Sequence, residues 1–353
     1  MAFSEIVERI RMSKLSQFTI LTTNRCTAFC DHCSMYSSPQ RRGKVALSTI
    51  TQTVDQLMID ENHPEVVVFA GGEPTLLRND LFDAIAYCHE KGLKTRIVTN
   101  ASWATTMQKA EAMINTLREC GLSEVNYSLD DYHARDINYE NVFNAWRASK
   151  NKGFDSVVIA NCYGHNSTIT SDFIQQQLGE TIPVYWDEHG TPQHSMSRSA
   201  DGTCYLISNA RLQRLGRGIA IAERDIIYPR KQSILNLKCP WAVNSAALSA
   251  GSHLLACCGI NAHGNEFLDF GDVRDANVAA LLRQGEQRLV IQAIRKFGPW
   301  FLMKFVSDIA TQPLFKPRYA SVCEICEDVV NIAESRQILR DYLPEIYPLY
   351  ENI

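Results

Sequence analysis

The 353-residue sequence has no surplus of positive charge: 35 Lys and Arg stand against 39 Asp and Glu, for a formal net charge of −4. It therefore has no electrostatic footprint for a phosphate backbone, and nucleic acid is not an expected partner. Long apolar runs are missing too. The opening stretch, Met1 to Lys14, mixes charged and apolar residues and holds no h-region of a secretory signal. The most apolar later stretch, Phe297 to Ala310, is too short to span a bilayer and is interrupted by Lys304 and Asp308. A buried or amphipathic helix is expected there. No repeat or low-complexity tract is evident. These absences lead to the expectation of a cytoplasmic globular protein with no membrane partner.

Cysteine, by contrast, is abundant, with 12 in the chain. In a reducing compartment these are not expected to be disulfides, and a chain of this length needs no staples. Seven fall into close groups: Cys26, Cys30 and Cys33; Cys257 and Cys258; Cys323 and Cys326. Clustered thiols of this kind are more often metal ligands or catalysts than cross-links.

Short β-rich runs alternate with helical patterns through the first half. The runs Phe18–Thr22, Val66–Ala70, Thr95–Thr99, Val125–Leu129 and Ser156–Asn161 predict strands, with a weaker one at Ile182–Trp186. Their near-continuous apolar character suits parallel strands covered on both faces. Helices are predicted from about Leu47, with Ser48 as N-cap, and over Leu81–Lys91, Thr105–Cys120 and Tyr139–Lys152. A repeating βα series implies an α/β fold with a parallel sheet or partial barrel. The rhythm breaks in the polar stretch Thr191–Thr203. A soft boundary near 232 separates residues 15–231 from a cysteine-bearing region, 232–353.

The first predicted strand leads into Thr22-Thr23-Asn24-Arg25-Cys26-Thr27-Ala28-Phe29-Cys30-Asp31-His32-Cys33. Three thiolates on one short loop can hold three irons of a four-iron cluster and leave the fourth iron open to a small molecule. A zinc site using the same cysteines plus His32 is the alternative, although zinc sites usually present two separated pairs. Sites in parallel βα folds form at the carboxyl ends of strands, which is where this loop falls.

This loop resembles the signature of the radical S-adenosylmethionine (SAM) superfamily. The resemblance implies that Cys26, Cys30 and Cys33 hold a [4Fe-4S] cluster whose open iron is chelated by the amino and carboxylate groups of SAM. It implies reductive cleavage of SAM to a 5′-deoxyadenosyl radical. The residue before the last cysteine is usually aromatic and near the adenine; here it is His32. One βα unit later, Gly71-Gly72-Glu73-Pro74 is similar to the family's GGEP motif, which grips the SAM amino group. Two glycines let backbone approach a ligand, and a carboxylate at Glu73 can accept from an ammonium. Thr99-Asn100-Ala101 resembles the T-N-G segment and Ser128-Leu129-Asp130 the S-L-D segment. Asn100 and Ser128 are thereby candidates for the SAM carboxylate and ribose. Arg214-Leu215-Gly216-Arg217-Gly218 resembles the G-R-A segment, which adds Arg217. The implied fold is a (β/α)6 partial barrel.

Cys239, Cys257, Cys323 and Cys326 form a second candidate ligand set, with Cys258 a rival to Cys257. The region resembles the SPASM/twitch extension, and the shorter twitch form implies one auxiliary [4Fe-4S] cluster; zinc remains the alternative here as well. Cys88, Cys120, Cys162 and Cys204 need no special role, although Cys162 ends the fifth strand, from which a thiol can return a hydrogen atom to a substrate radical. Asp131 and His133 follow the fourth strand and are candidate catalytic residues, His being tuned for proton transfer near neutral pH.

The resemblance implies an external electron donor such as flavodoxin or ferredoxin. The substrate is expected to be a small molecule, a sugar or natural-product intermediate that is oxidised, epimerised or decarboxylated. A ribosomal-peptide maturase is the alternative, disfavoured because only about 25 residues precede Cys26, too few for a peptide-recognition domain. A zinc-stabilised binding protein without catalysis is the alternative of another class.

Overall fold

The computed structural model describes residues 15–59, 63–186, 198–259 and 261–350. Met1–Lys14 and much of the Thr191–Thr203 stretch lie outside the described residues. The predicted βα alternation is present: β1 (Gln17–Leu21), α1 (Leu47–Met58), β2 (Val66–Ala70), α2 (Asn79–Glu90), β3 (Lys94–Thr99), α3 (Met107–Glu119), β4 (Glu124–Ser128), α4 (Tyr139–Ala148), β5 (Ser156–Tyr163) and α5 (Ser171–Leu178). After these come β6 (Val184–Trp186) and β7 (Cys204–Arg211). The final third holds β8 (Ala247–Leu248), β9 (His253–Leu255), β10 (Asp269–Asp272) and five helices. These are α6 (Val278–Glu286), α7 (Leu289–Lys296), α8 (Pro299–Ile309), α9 (Val322–Asn331) and α10 (Ala333–Tyr350). Among the described residues no helix is long and apolar enough to cross a membrane.

One mostly parallel sheet runs β10-β9-β8-β1-β2-β3-β4-β5-β7-β6. Register is set by pairs such as Phe18 with Val67, Val67 with Thr95, and Ile97 with Val125. Period-2 geometry then divides each strand between two faces. Phe18, Ile20, Val67, Phe69, Ile97, Val125 and Tyr127 are fully buried on the helix side. Their alternates Thr19, Leu21, Val68, Ala70, Arg96, Val98, Asn126 and Ser128 line a cavity on the inner face. Trp146 of α4, also fully buried, packs into the helix-side core. Burying side chains of that size stabilises by about 1.5–3 kcal/mol each.

Several expectations change. The strand beside β5 is β7, not the segment around Ile182–Trp186, which contributes only the short edge strand β6. Ser208 and Asn209 interrupt the apolar run of β7, which hides it from a hydrophobicity reading. Ala46, not Ser48, precedes α1, with no side-chain cap; Ser48 lies within the first turn. The α3 cap is Thr106, whose hydroxyl accepts from the Lys109 N–H at 3.3 Å. The apolar stretch near 300 forms α8, begun by Pro299, whose missing N–H costs nothing at a helix start.

The region after residue 232 continues the same sheet. β8 lies parallel to β1, with Thr19 opposite Ala247 and Ile20 opposite Leu248, and β9 and β10 extend the sheet antiparallel. One apolar core runs beneath both regions.

Candidate active site

The cysteine loop leaves β1 and is held in place by bonds of its backbone as well as of its own side chains, among them Thr23 and Thr27. The Cys26 N–H donates to Ser38 O at 3.0 Å, and Cys33 N–H to Cys30 O at 3.1 Å. Arg217 supplies three more bonds: its N–H to Cys33 O (3.1 Å), its Nε to Cys30 O (2.9 Å) and its Nη2 to Ser37 O (2.7 Å). Its guanidinium also covers the exposed Phe29 ring at 4.2 Å. A charged clamp on two carbonyls, with the backbone N–H on a third, makes Arg217 a holder of the loop, beyond its place in the cavity wall.

The end of β2 meets this loop at close range. Gly72 N–H donates to Thr23 O at 2.7 Å and Glu73 N–H to Arg25 O at 2.9 Å. A Cβ on Gly72 would sit 1.9 Å from Arg25 O, so no other residue fits without moving backbone. Glu73 itself is fully buried and does not line the cavity. Its carboxylate accepts from Thr75 N–H (3.2 Å), Thr75 Oγ1 (2.7 Å), Thr99 Oγ1 (2.8 Å) and Asn100 N–H (2.9 Å). Burial pushes its pKa up against those bonds. Glu73 thus ties the end of β2 to the end of β3, and the motif turns its glycines, not this side chain, to the cavity.

Asn100 is held by that tie and faces the loop. Its Nδ2 donates to Thr27 Oγ1 at 2.9 Å and approaches Cys26 Sγ at 3.5 Å. Ser128 lines the cavity from β4. Beyond β4, the sequence offers two adjacent carboxylates, and the structure gives them different work. Asp131 turns away: it accepts from the N–H groups of Thr168 (3.0 Å) and Ile169 (3.2 Å) and from the Thr168 hydroxyl, anchoring the following loop. Asp130, missed as a site residue in the sequence, is 1% exposed and takes the inward position. It accepts from the N–H groups of Tyr132 and His133, each at 2.9 Å. Its Oδ2 lies 2.8 Å from His133 Nδ1 and 3.3 Å from His32 Nε2.

One buried carboxylate therefore orients two cavity-lining imidazoles. Burial alone would raise the Asp130 pKa, but the histidines outweigh it and hold the carboxylate well below its usual range. At His133, Asp130 likewise overcomes burial and lifts the imidazole above its ordinary value. His32 stacks on Tyr132 at 4.8 Å, and its buried Nδ1 has no hydrogen-bond partner among the described residues. Cys30, His32 and His133 each bring a donor atom within 4.8 Å of the others, yet both rings already turn a nitrogen to Asp130.

All three loop cysteines share one cavity of about 440 Å³ with His32, Gly71, Gly72, Asn100, Ser128, His133 and Arg217. Deeper in, the inner face adds Gln17, Arg96 and Asn126. Asn126 Oδ1 is buried without a hydrogen-bond partner among the described residues. Burial, with the nearby carboxylate of Glu73 and thiol of Cys33, pushes Cys26 up to about 11. Cys30 rises further, by burial and by Asp130 and the other two cysteines. Thiolates crowded in this way need a cation to coexist, and that donor set suits an iron cluster. The missing side chains of Gly71 and Gly72 and the unpartnered His32 Nδ1 suit a polar ligand beside it.

The second cysteine set also assembles. Cys257 is raised by burial and by Cys258, Cys323 and Cys239. Cys326 is raised by burial and by Cys257, Cys239 and Cys323. Cys258, raised by burial and by Cys239, also lines the amino-terminal cavity. Sequence spacing had no means of separating these two neighbours. Cys162 does not line that cavity; it packs against the cluster of Leu212, Ile221 and Ile226.

Residues 20–172 match the family model described as the Radical SAM superfamily. YydG of Bacillus subtilis (strain 168), named as a peptide biosynthesis protein, is 22% identical over 159 residues, 45% of this chain and 49% of its own. Fe-coproporphyrin III synthase of Methanosarcina barkeri (strain Fusaro / DSM 804) is 31% identical over 128 residues, 36% of this chain and 30% of its own. The chain thus spans half or less of the length of the curated relatives it matches. Native anSMEcpe with bound AdoMet, a solved structure, is similar with a TM-score of 0.55 at 12% identity, over 96% of this chain and all of that one. That likeness is one of fold. Over residues 20–172, the chain thus carries a radical SAM domain.

Proposed function

We propose that this chain is a radical SAM enzyme that acts on a polar small molecule held against the inner face of the sheet. The observation that carries the reading is the single cavity in which Cys26, Cys30 and Cys33 meet the Gly71-Gly72 turn, Asn100, Ser128 and the polar floor of Gln17, Arg96 and Asn126. When bound, a [4Fe-4S] cluster and SAM supply a 5′-deoxyadenosyl radical, which removes a hydrogen atom from substrate and leads to oxidation, epimerisation or decarboxylation.

The chain's own residues do the positioning. Cys26, Cys30 and Cys33 would hold the cluster, and Arg217 fixes the carbonyls around them. Gly71 and Gly72 expose backbone to the SAM amino group, with Glu73 acting from behind. Asn100 and Ser128 offer donors and acceptors to the carboxylate and ribose, and His32 offers an imidazole face to the adenine. His133, oriented through Nδ1 by Asp130, can hold or move a proton. Cys258 presents a thiol to the cavity, a hydrogen-atom source if the product is an epimer. The floor favours a substrate rich in hydroxyl or amino groups, because Asn126 Oδ1 has no donor among the described residues and Arg96 lines the same cavity.

Cys239, Cys257, Cys323 and Cys326 would hold an auxiliary [4Fe-4S] cluster of SPASM/twitch type. A flavodoxin or ferredoxin is the proposed electron donor. A second reading, modification of a peptide, draws support from the name of YydG and from the fold shared with anSMEcpe solved with the Cp18Cys peptide at a TM-score of 0.50.

Anaerobic reconstitution followed by dithionite reduction in the presence of SAM tests the proposal. About eight irons per chain and release of 5′-deoxyadenosine are expected. A colourless protein that binds zinc and ignores SAM would refute it. Turnover of aminated or hydroxylated small molecules, set against a peptide library, then separates the two substrate readings.

A further inference from the structure

His253, His263 and Asp269 lie outside the cavity and take no part in the proposed reaction. His253 stands on β9, Asp269 opens β10, and His263 belongs to the loop between them. Each brings one ligand atom within 4.8 Å of the others. His253 Nδ1 is 2.9 Å from Asp269 Oδ2, His263 Nδ1 is 3.9 Å from the same oxygen, and the ring centroids are 4.6 Å apart.

A hydrogen bond between His253 and Asp269 accounts for one ring but not for the second. His263 has a single other contact at its Nδ1, the Ser249 hydroxyl at 3.2 Å, and stands half exposed. Ligand bonds of about 2.0–2.1 Å at tetrahedral angles place donor atoms roughly 3.3 Å apart. The observed 2.9 and 3.9 Å bracket that spacing.

The surroundings are built to keep these groups in place. Asp269 accepts from Gly264 N–H at 2.7 Å and Gly271 N–H at 2.9 Å, so its carboxylate is fixed from both sides. Ser249 Oγ accepts from His253 N–H at 3.1 Å. Gly251 lies under the His263 ring, where a Cβ would come 2.9 Å from Cε1. The ring's seat therefore depends on a glycine, and partner bonds that orient first ligands are a recurring part of metal sites.

We infer that His253, His263 and Asp269 bind a zinc ion, with water completing its coordination. Imidazole with one carboxylate suits zinc, whereas the thiol-rich sites of this chain suit iron clusters. His253 precedes Cys257 and Cys258 in the chain and His263 follows them, so one ion would tie both flanks of the segment that carries these two cysteines. The inference does not depend on the proposed reaction.

The test uses the tag-free, anaerobically reconstituted protein with its full iron content. It is dialysed against micromolar free zinc and measured for both metals, with zinc X-ray absorption on the same sample. One zinc beyond the iron is expected, with nitrogen and oxygen at about 2.0–2.1 Å and no sulfur in its first shell. His263→Ala, at a half-exposed position, should weaken zinc binding on the order of 100-fold and leave the iron count unchanged. His253→Gln should do the same. Sulfur in the zinc shell, equal zinc in the wild type and in both variants, or no zinc uptake would each overturn the assignment.

Discussion

Gly72→Ala should disable the site through packing alone. The new Cβ would lie 1.9 Å from Arg25 O and 2.6 Å from Arg25 C, both backbone atoms that no side-chain rotation can clear. Ordinary contact begins near 3.4 Å, so the β2 turn and the cysteine loop must separate by about 1.5 Å, the difference between 3.4 and 1.9. That motion breaks the bonds from Gly72 N–H to Thr23 O and from Glu73 N–H to Arg25 O. Leaving such buried groups unpaired costs about 1–3 kcal/mol each, hence about 2–6 kcal/mol together. In a chain of this size, this lowers the melting temperature by roughly 4–10 °C. A misplacement on the scale of 1 Å at a reacting centre can cost on the order of 100-fold in rate, and SAM cleavage should fall at least that far. Gly92→Ala is the control. Its φ is +80° with nothing within 4 Å of the new Cβ, so it should cost about 1–2 kcal/mol of strain while leaving chemistry intact. Thermal unfolding, iron content and 5′-deoxyadenosine release, measured on both reconstituted variants, decide the matter. A Gly72→Ala protein with wild-type iron and cleavage rate would refute the reasoning.

Cys30→Ala should lose about four irons and all SAM cleavage, by iron analysis and 5′-deoxyadenosine assay. Cys257→Ala should also lose about four irons, whereas Cys258→Ala should keep all of them; equal losses would overturn the division drawn between these neighbours. Asp130→Asn removes the charge that orients His32 and His133, and should slow product formation about 10–100-fold with iron unchanged. Trp146→Ala should cost about 3–5 kcal/mol of stability by denaturant titration, yet leave the rate of SAM cleavage unaltered at low temperature.

The cysteine loop and the Gly71-Gly72-Glu73-Pro74 turn were legible in the sequence because their chemistry depends on local spacing, which a linear reading preserves. Other features depend on direction or distance. Nothing in the string Asp130-Asp131 shows which carboxylate faces inward; that is decided by Thr168 and Ile169, which engage Asp131 from a remote loop. Glu73 reads as a ligand group until its oxygens are found occupied by Thr75, Thr99 and Asn100. Nor does the string Cys257-Cys258 show that the second thiol lines the cavity. The strand Cys204–Arg211 was hidden by its polar centre, and β8 and β9 are too short to leave a periodic signal.

The pairing of β8 with β1 has a consequence for how the molecule is made. On that side, Thr19 N–H donates to Ala246 O at 2.9 Å, a partner more than two hundred positions away. Until the ribosome has delivered that partner, β1 is a bare sheet margin with its amides unanswered, open to self-association. A fragment ending at residue 231 should therefore aggregate, even though it contains every strand from β1 to β7.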